Sequence, residues 1–396
     1  MFSLRLLTAP NRPGEIHEEF QRIGVSPEGI ELMGGKGDFL CVKVGNISAP
    51  AANILKQEML AKGGEVAVGK GMAYLTQETG DAIIMGTKTQ YQRLLTLLYR
   101  QPFGLSALAK ELDSLLATLE QNPPPLTVKN SCFEWGKKTY LMGIINLTPD
   151  SFSGDGLLST KDLQASVLRQ AEQFRVAGAD LLDLGAESTR PGYTGITEEE
   201  EKKRLIPVVE YLAEHSALPL SVDTSKPAVA KAALTAGADL INDIWGLQKD
   251  PEMVEVVAAA QAPVIVMHNR AAPADTDLMA DVASFLRNSI TLAVDHGLPR
   301  EKVIIDPGVG FGKTLEDNLT VIDRLGELKA LGAPILLGTS RKSVIGQVLN
   351  LPVDQRVEGT AATVAVGITR GADLIRVHDV EAMARVARMT DALIRK

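Results

Sequence analysis

Apolar runs of strand length recur along the second two-thirds of this chain, and each stops at a polar loop. The clearest is Met142-Gly143-Ile144-Ile145-Asn146, which gives way to Leu147-Thr148-Pro149-Asp150-Ser151-Phe152-Ser153. A buried parallel strand delivers side chains to a rim in this manner. Similar runs lie at 139–147, 180–186, 219–224, 240–244, 263–268, 303–308, 334–340 and 374–379. Most show little alternation, as expected of strands buried on both faces. Helical periodicity fills the intervals, for example at 162–177, 198–213, 316–330 and 380–394. Alternating β and α implies a parallel sheet, and eight units in roughly 250 residues make a (β/α)8 TIM barrel. A doubly wound open sheet is the alternative. Against it, no Gly-x-Gly-x-x-Gly turn follows the first run, and polar residues are shared among all the strand ends.

Residues 1–122 read as a small α/β domain of unassigned role. The pattern predicts helices at 54–62, 89–99 and 105–119 and strands at 65–68 and 81–85. Gly86-Thr87-Lys88-Thr89 precedes a helix, where an anion could bind. The plainer and preferred reading is a turn and cap. Gln121-Asn122-Pro123-Pro124-Pro125 cannot continue a helix and favours an extended spacer. We therefore read 123–138 as linker and barrel entry, and 139–396 as the barrel.

Composition narrows the partners. The chain has 396 residues, 45% hydrophobic and 23% charged, as in an ordinary globular protein. Its net charge of -8 argues against nucleic acid, so any phosphate must meet a local cationic patch. Cys41 and Cys132 lie far apart and outside any metal-ligand spacing, which fits a reducing, cytoplasmic setting. No signal-like stretch opens the chain and no apolar run reaches membrane-span length, so no membrane partner is expected.

The strand ends supply the chemistry. They carry Asn146 with Asp150 in the loop; Asp183, then Glu187-Ser188-Thr189-Arg190-Pro191-Gly192; Asp223-Thr224; and Asn242-Asp243. They continue with Met267-His268; Asp306-Pro307-Gly308 and Val309-Gly310-Phe311-Gly312-Lys313; Ser340-Arg341-Lys342-Ser343; and Arg376-Val377-His378-Asp379. Asp223, Asn242 and Asp306 suit a ligand edge rich in N–H donors. Lys342 could meet a carbonyl oxygen. Arg376 and His378, with Arg190 nearby, suit a phosphate. Asn146 offers a hard oxygen for Mg²⁺, which usually joins phosphates with few protein ligands. Simpler readings stand beside these. Asp223 could cap the helix opened by Pro227. Asp243 and Asp379 read as partners of backbone donors. His17, His215 and His296 read as exposed, and His268 as structural. The charge run 198–203 reads as a solvated helix face.

Together these motifs make the chain, from about Tyr140 onward, resemble dihydropteroate synthase. The resemblance rests on 143–153, Ser188-Thr189-Arg190-Pro191-Gly192, the strand-end residues Asp223, Asn242, Met267 and Asp306, Phe311-Gly312-Lys313, Ser340-Arg341-Lys342-Ser343 and Arg376-Val377-His378-Asp379. It implies condensation of 7,8-dihydropterin-6-ylmethyl diphosphate with 4-aminobenzoate, giving 7,8-dihydropteroate and diphosphate. It implies a pterin site of Asp223, Asn242, Met267, Asp306 and Lys342. Asn146, Arg190, Arg376 and His378 would hold diphosphate, with Mg²⁺ at Asn146. Phe152, Thr189, Pro191, Phe311 and Ser340 would receive aminobenzoate. Asp150, Asp306, Lys342 and Arg376 would be catalytic, and a homodimer is expected for this class of barrel. Two departures stand out: Ser153-Gly154-Asp155-Gly156, where the family usually has Ser-Asp-Gly-Gly, and Val309, where an aromatic is common. The rivals are a pterin-dependent methyltransferase, which needs no diphosphate site, and a non-catalytic pterin-binding paralogue.

Overall fold

The computed structural model describes residues 15–147, 160–187, 195–271 and 277–395. The chain divides into two compact units, Met1–Gln121 and Asn122–Lys396.

In the first unit, strands β1 (Phe39–Ser48), β2 (Glu65–Val68) and β3 (Thr79–Thr87) form an antiparallel sheet in the order β1-β3-β2. Val66, Ala82 and Ile84 pack with Leu55, Met59 and Tyr91 from helices Ala49–Leu60 and Lys88–Leu98, and helix Leu105–Glu120 completes this core. Strand β1 and helices Glu15–Arg22 and Pro27–Gly37 were not predicted. Helix Ala49–Leu60 begins earlier than its apolar pattern, because Ser48 caps it and Pro50 stands in its first turn. Thr87 closes a capping box with Gln90, so the segment before this helix is a turn and cap.

The second unit opens with a hairpin of β4 (Leu126–Val128) and β5 (Ser131–Phe133), turning at Lys129 with φ 53°. The stretch 123–138, read as linker and barrel entry, thus carries a packed hairpin. Its apolar side chains join Trp135 against Tyr140 and Met142, with ring centroids of Phe133 and Tyr140 4.9 Å apart.

Eight parallel strands follow: β6 (Tyr140–Asn146), β7 (Leu181–Gly185), β8 (Leu220–Asp223), β9 (Leu240–Asp243), β10 (Val264–Met267), β11 (Val303–Asp306), β12 (Leu336–Leu337) and β13 (Leu374–Val377). Their order is β11-β10-β9-β8-β7-β6-β13-β12. A parallel bridge between Ile305 and Ile335, with Ile305 N donating to Pro334 O at 2.9 Å, joins the two ends. The sheet is therefore a closed (β/α)8 barrel, as the alternating pattern predicted. Each strand lies inside its predicted run, though β12 has only two residues where seven were expected.

The interior is layered. Met142, Leu181, Leu240, Ile265, Ile304, Leu336 and Leu374 cluster with the hairpin. Side chains alternate along a strand, so the next inward positions are two residues on. These are Ile144, Asp183, Asn242, Met267, Asp306, Gly338 and Arg376. An apolar layer thus underlies a polar one, and the polar layer faces the rim where the strands end.

Candidate active site

Arg376, on β13, reaches across the barrel mouth. Its Nε donates to Asp183 Oδ2 at 2.5 Å and its Nη2 to Asp223 Oδ2 at 2.7 Å. Asn242 Nδ2 also donates to Asp183 Oδ2, at 3.2 Å. Asp183 is fully buried, and its partner in that setting is the Arg376 guanidinium. Burial pushes Asp223 up to about 7; Arg376 opposes the rise and Asp183 adds to it. Burial is the largest single influence at Arg376 and lowers its pKa, but Asp183 and Asp223 together outweigh it and the net shift is upward.

Asp306 ends β11, buried, with Oδ1 accepting from Gly308 N at 2.7 Å. Burial raises its pKa against the pull of Lys342. Lys342 Nζ donates to Val309 O and lies 4.7 Å from the centre of the Phe311 ring. Burial pushes Lys342 down to about 8, with Asp306 restoring part of the loss. A Cβ on Gly338 would stand 3.8 Å from Lys342 Nζ, 3.8 Å from Arg376 Cβ and 4.0 Å from Asp306 Oδ2. Gly338 thus marks the point where the Lys342 ammonium, an Asp306 oxygen and the Arg376 stem converge. Val309 itself is buried, and its backbone oxygen is the acceptor for Lys342.

At the rim, His378 donates its backbone N–H to Ser340 Oγ at 3.1 Å, and its Nδ1 lies 3.0 Å from the same oxygen. The residues expected on the diphosphate and aminobenzoate sides thus share a hydrogen bond. Asn146 ends β6, half-buried and paired in register with Gly185 of β7. Met267 ends β10 and is buried. Asp150, Phe152, Thr189, Arg190 and Pro191 lie outside the described residues.

The polar layer gathers carboxylates, an amide, a lysine and a guanidinium at one end of the barrel. The family described as "Pterin binding enzyme" matches residues 142–378. A dihydropteroate synthase of Clostridium beijerinckii is 48% identical over 265 residues, covering 67% of this chain and 97% of the relative. This chain belongs to the dihydropteroate synthase family. Among solved structures, the Clostridium difficile synthase crystallised with pteroic acid aligns with a TM-score of 0.64 and 48% identity. It covers 67% of this chain and 100% of that one. The Xanthomonas albilineans synthase with 4-aminobenzoic acid gives 0.65 at 40%, covering 69% and 98%. A probable bifunctional folylpolyglutamate synthase/dihydropteroate synthase of Halobacterium salinarum is 39% identical over 386 residues. That match spans 96% of this chain and 46% of the relative, so it takes in most of the first unit as well.

Within this family barrel, several residues outside the expected set support the site. Among them is Asp183, a strand-end residue to which the sequence pattern assigns no role. Its signal was its place two residues after Leu181, an inward position in an otherwise apolar run. The run 198–203 is corrected: Glu201 is buried, one turn before Leu205 on the buried stripe of helix Glu198–His215. Its Oε2 accepts from Lys226 Nζ at 2.5 Å, and Lys226 also binds Glu187. Asp223 is not a cap, since the helix Pro227–Thr235 begins after Lys226 without a side-chain cap. Asp243 accepts from Trp245 N and Leu247 N at 2.9 and 2.7 Å, the backbone role expected of it. Asp379 is corrected: it takes Arg341 Nε and Nη2 at 2.9 and 2.5 Å, a pair made possible because β12 and β13 are neighbours.

Among the described residues no group of three or more His, Cys, Asp or Glu could hold a metal. Asn146 offers one neutral hard oxygen. That suits an ion that arrives with its phosphate and water ligands, as Mg²⁺ does. Cys41 and Cys132 are free and exposed, and no described helix is long and apolar enough to cross a membrane.

Proposed function

We propose that this chain condenses 7,8-dihydropterin-6-ylmethyl diphosphate with 4-aminobenzoate, releasing 7,8-dihydropteroate and diphosphate. The observation that carries this reading is the convergence of Asp183, Asp223, Asn242, Asp306, Lys342 and Arg376 on one end of the barrel.

Asp223, Asn242 and Asp306 accept the N–H donors of the pterin, and Lys342 donates to its carbonyl, with Met267 packed beside the ring. Arg376 spends Nε and Nη2 on the two aspartates, which leaves Nη1 to approach an anion. With Arg190 and His378 it holds the diphosphate. Bound Mg²⁺, held by Asn146, would neutralise charge on the leaving group. The bond from the pterin methylene to the diphosphate oxygen breaks, and its electron pair leaves with diphosphate. The cation left behind spreads into the ring, and Asp306 and Asp150 stabilise it. The arylamine of 4-aminobenzoate, set by Phe311, Ser340, Thr189 and Pro191 under Phe152, forms the new C–N bond and sheds a proton. We place the reaction in the cytoplasm on the two free thiols, and propose a homodimer on the barrel class alone.

Diphosphate release by the full chain, with dihydropterin-methyl diphosphate and Mg²⁺, tests this. Release coupled to pteroate formation on adding 4-aminobenzoate is expected. Tight pterin binding without any release would overturn the synthase reading in favour of a pterin-dependent methyltransferase or a non-catalytic pterin binder.

A further inference from the structure

The loop after β11 is held from behind by a lysine that the proposed mechanism does not use. Lys313 Nζ lies 2.8 Å from His268 Nδ1, 2.9 Å from Gly308 O and 3.2 Å from Phe311 O. An ammonium has three N–H donors, and here each meets one acceptor. On its outer side the same loop presents Val309 O to Lys342 and the Phe311 ring beneath that ammonium. The loop is pressed against the end of β10. A Cβ on Gly308 (φ +69°) or Gly312 (φ +56°) would stand 1.9 Å from His268 O or Arg270 O. The loop therefore cannot back away; Arg270 Nε donates to Gly312 O at 2.8 Å and Gly310 N donates to Asn318 Oδ1 at 2.6 Å, and Lys313 adds three bonds, two of them to the loop's backbone on either side of Val309.

We propose that Lys313 is a positioning residue for 4-aminobenzoate: its ammonium fixes the loop that carries Phe311, and loss of its proton weakens aminobenzoate capture while leaving pterin binding intact. This rests on the placement of Phe311 in the aminobenzoate pocket. A neutral amine has two N–H donors for three acceptors, so one of the three bonds must go. Among the described residues, the groups facing Lys313 are His268 and Arg270 after β10, Asp281 from helix Leu278–Asp295, Asp306 from β11 and Lys342 after β12. Burial, helped by Arg270 and Lys342 and opposed by Asp306 and Asp281, pushes Lys313 down to about 7. His268 must stay neutral to accept at Nδ1. Its own value is pushed down to about 4, chiefly by burial and by Lys313, so it does not titrate in the same range.

The test measures KM for 4-aminobenzoate and kcat on the full chain from about pH 6 to 9, at saturating dihydropterin-methyl diphosphate, with pterin affinity measured separately. For the wild type, aminobenzoate KM is expected to rise severalfold as pH passes through 7. K313R keeps its charge over this range and should abolish that rise. K313M should raise KM about tenfold at the acid end, the scale of one charged hydrogen bond, and show no further rise, with pterin affinity unchanged. A wild-type KM that stays flat, a K313R rise matching the wild type, or a K313M KM equal to the wild type each overturns the proposal. Should K313M fail to fold, the wild-type and K313R profiles still decide. Absence of any pteroate from the wild type is a different result: it removes the synthase reading and this inference with it.

Discussion

Asp183→Asn keeps the shape of a fully buried side chain and removes its charge. In the folded chain Oδ2 accepts from Arg376 at 2.5 Å and from Asn242 at 3.2 Å. An asparagine can offer its carbonyl oxygen to both donors, so the number of bonds is kept. One charge-assisted bond becomes neutral: about 1.5–3 kcal/mol falls to about 0.5–1.5. The difference, about 1–2 kcal/mol, is roughly 5- to 30-fold in pterin affinity if it is lost from the oriented Arg376–Asn242 pair. The new amide nitrogen takes the place of Oδ1, a buried atom with no hydrogen-bond partner. Leaving that nitrogen unpaired costs about 1–3 kcal/mol, equivalent to a Tm loss of about 2–12 °C for a unit of this size. A second effect has a definite sign. Asp183 helps to raise Asp223, so removing its charge lowers Asp223 below about 7. Calorimetric titration with a pterin ligand between about pH 5.5 and 8.5 reads both effects. D183N should bind more weakly at pH 7.5, with its acid limb moved to lower pH. Wild-type affinity with an unmoved limb would refute the reasoning.

Further outcomes follow from the same geometry. Lys226→Met leaves Glu201, whose side chain is 1% exposed, without its cation; a loss of about 3–5 kcal/mol is expected in urea unfolding, largely restored by adding E201Q. Pterin affinity should peak between about pH 7 and 8, because Asp223 takes a proton below about 7 and Lys342 loses one above about 8; D223N should erase only the acid limb. The folded state holds the Asp223 proton more tightly than the unfolded chain, so the ligand-free Tm of the wild type should fall relative to D223N as pH rises from the ordinary carboxylate range to about 7. Trp135→Ala, in the hairpin layer, should cost about 3–5 kcal/mol with both KM values unchanged. A chain beginning at Asn122 should retain synthase activity, since relatives 97% covered by the match correspond to only 67% of this chain; loss of turnover there would give the first unit a catalytic role.

The run of apolar and polar positions was enough for the barrel. A strand covered by helices outside and by other strands inside needs apolar residues on both faces, so eight such runs announce eight strands. Parallel strands all end at one rim, so the residues closing each run announce the site. Partner choice was another matter. Asp183 stands between Leu182 and Leu184, and no local period says that Arg376, 193 residues later, neutralises it. Glu201 sits in a charge run that looks solvated until Lys226 meets it inside. The hairpin at 126–133 hides behind a row of prolines, and β12 keeps only two paired residues of a longer apolar run. The Ser340–His378 and Arg341–Asp379 pairs exist because β12 lies beside β13 in the closed sheet. Local sequence sets period and burial, which are short-range properties of the backbone and of water. Which buried charge meets which is decided only when the sheet closes and brings distant strands into register.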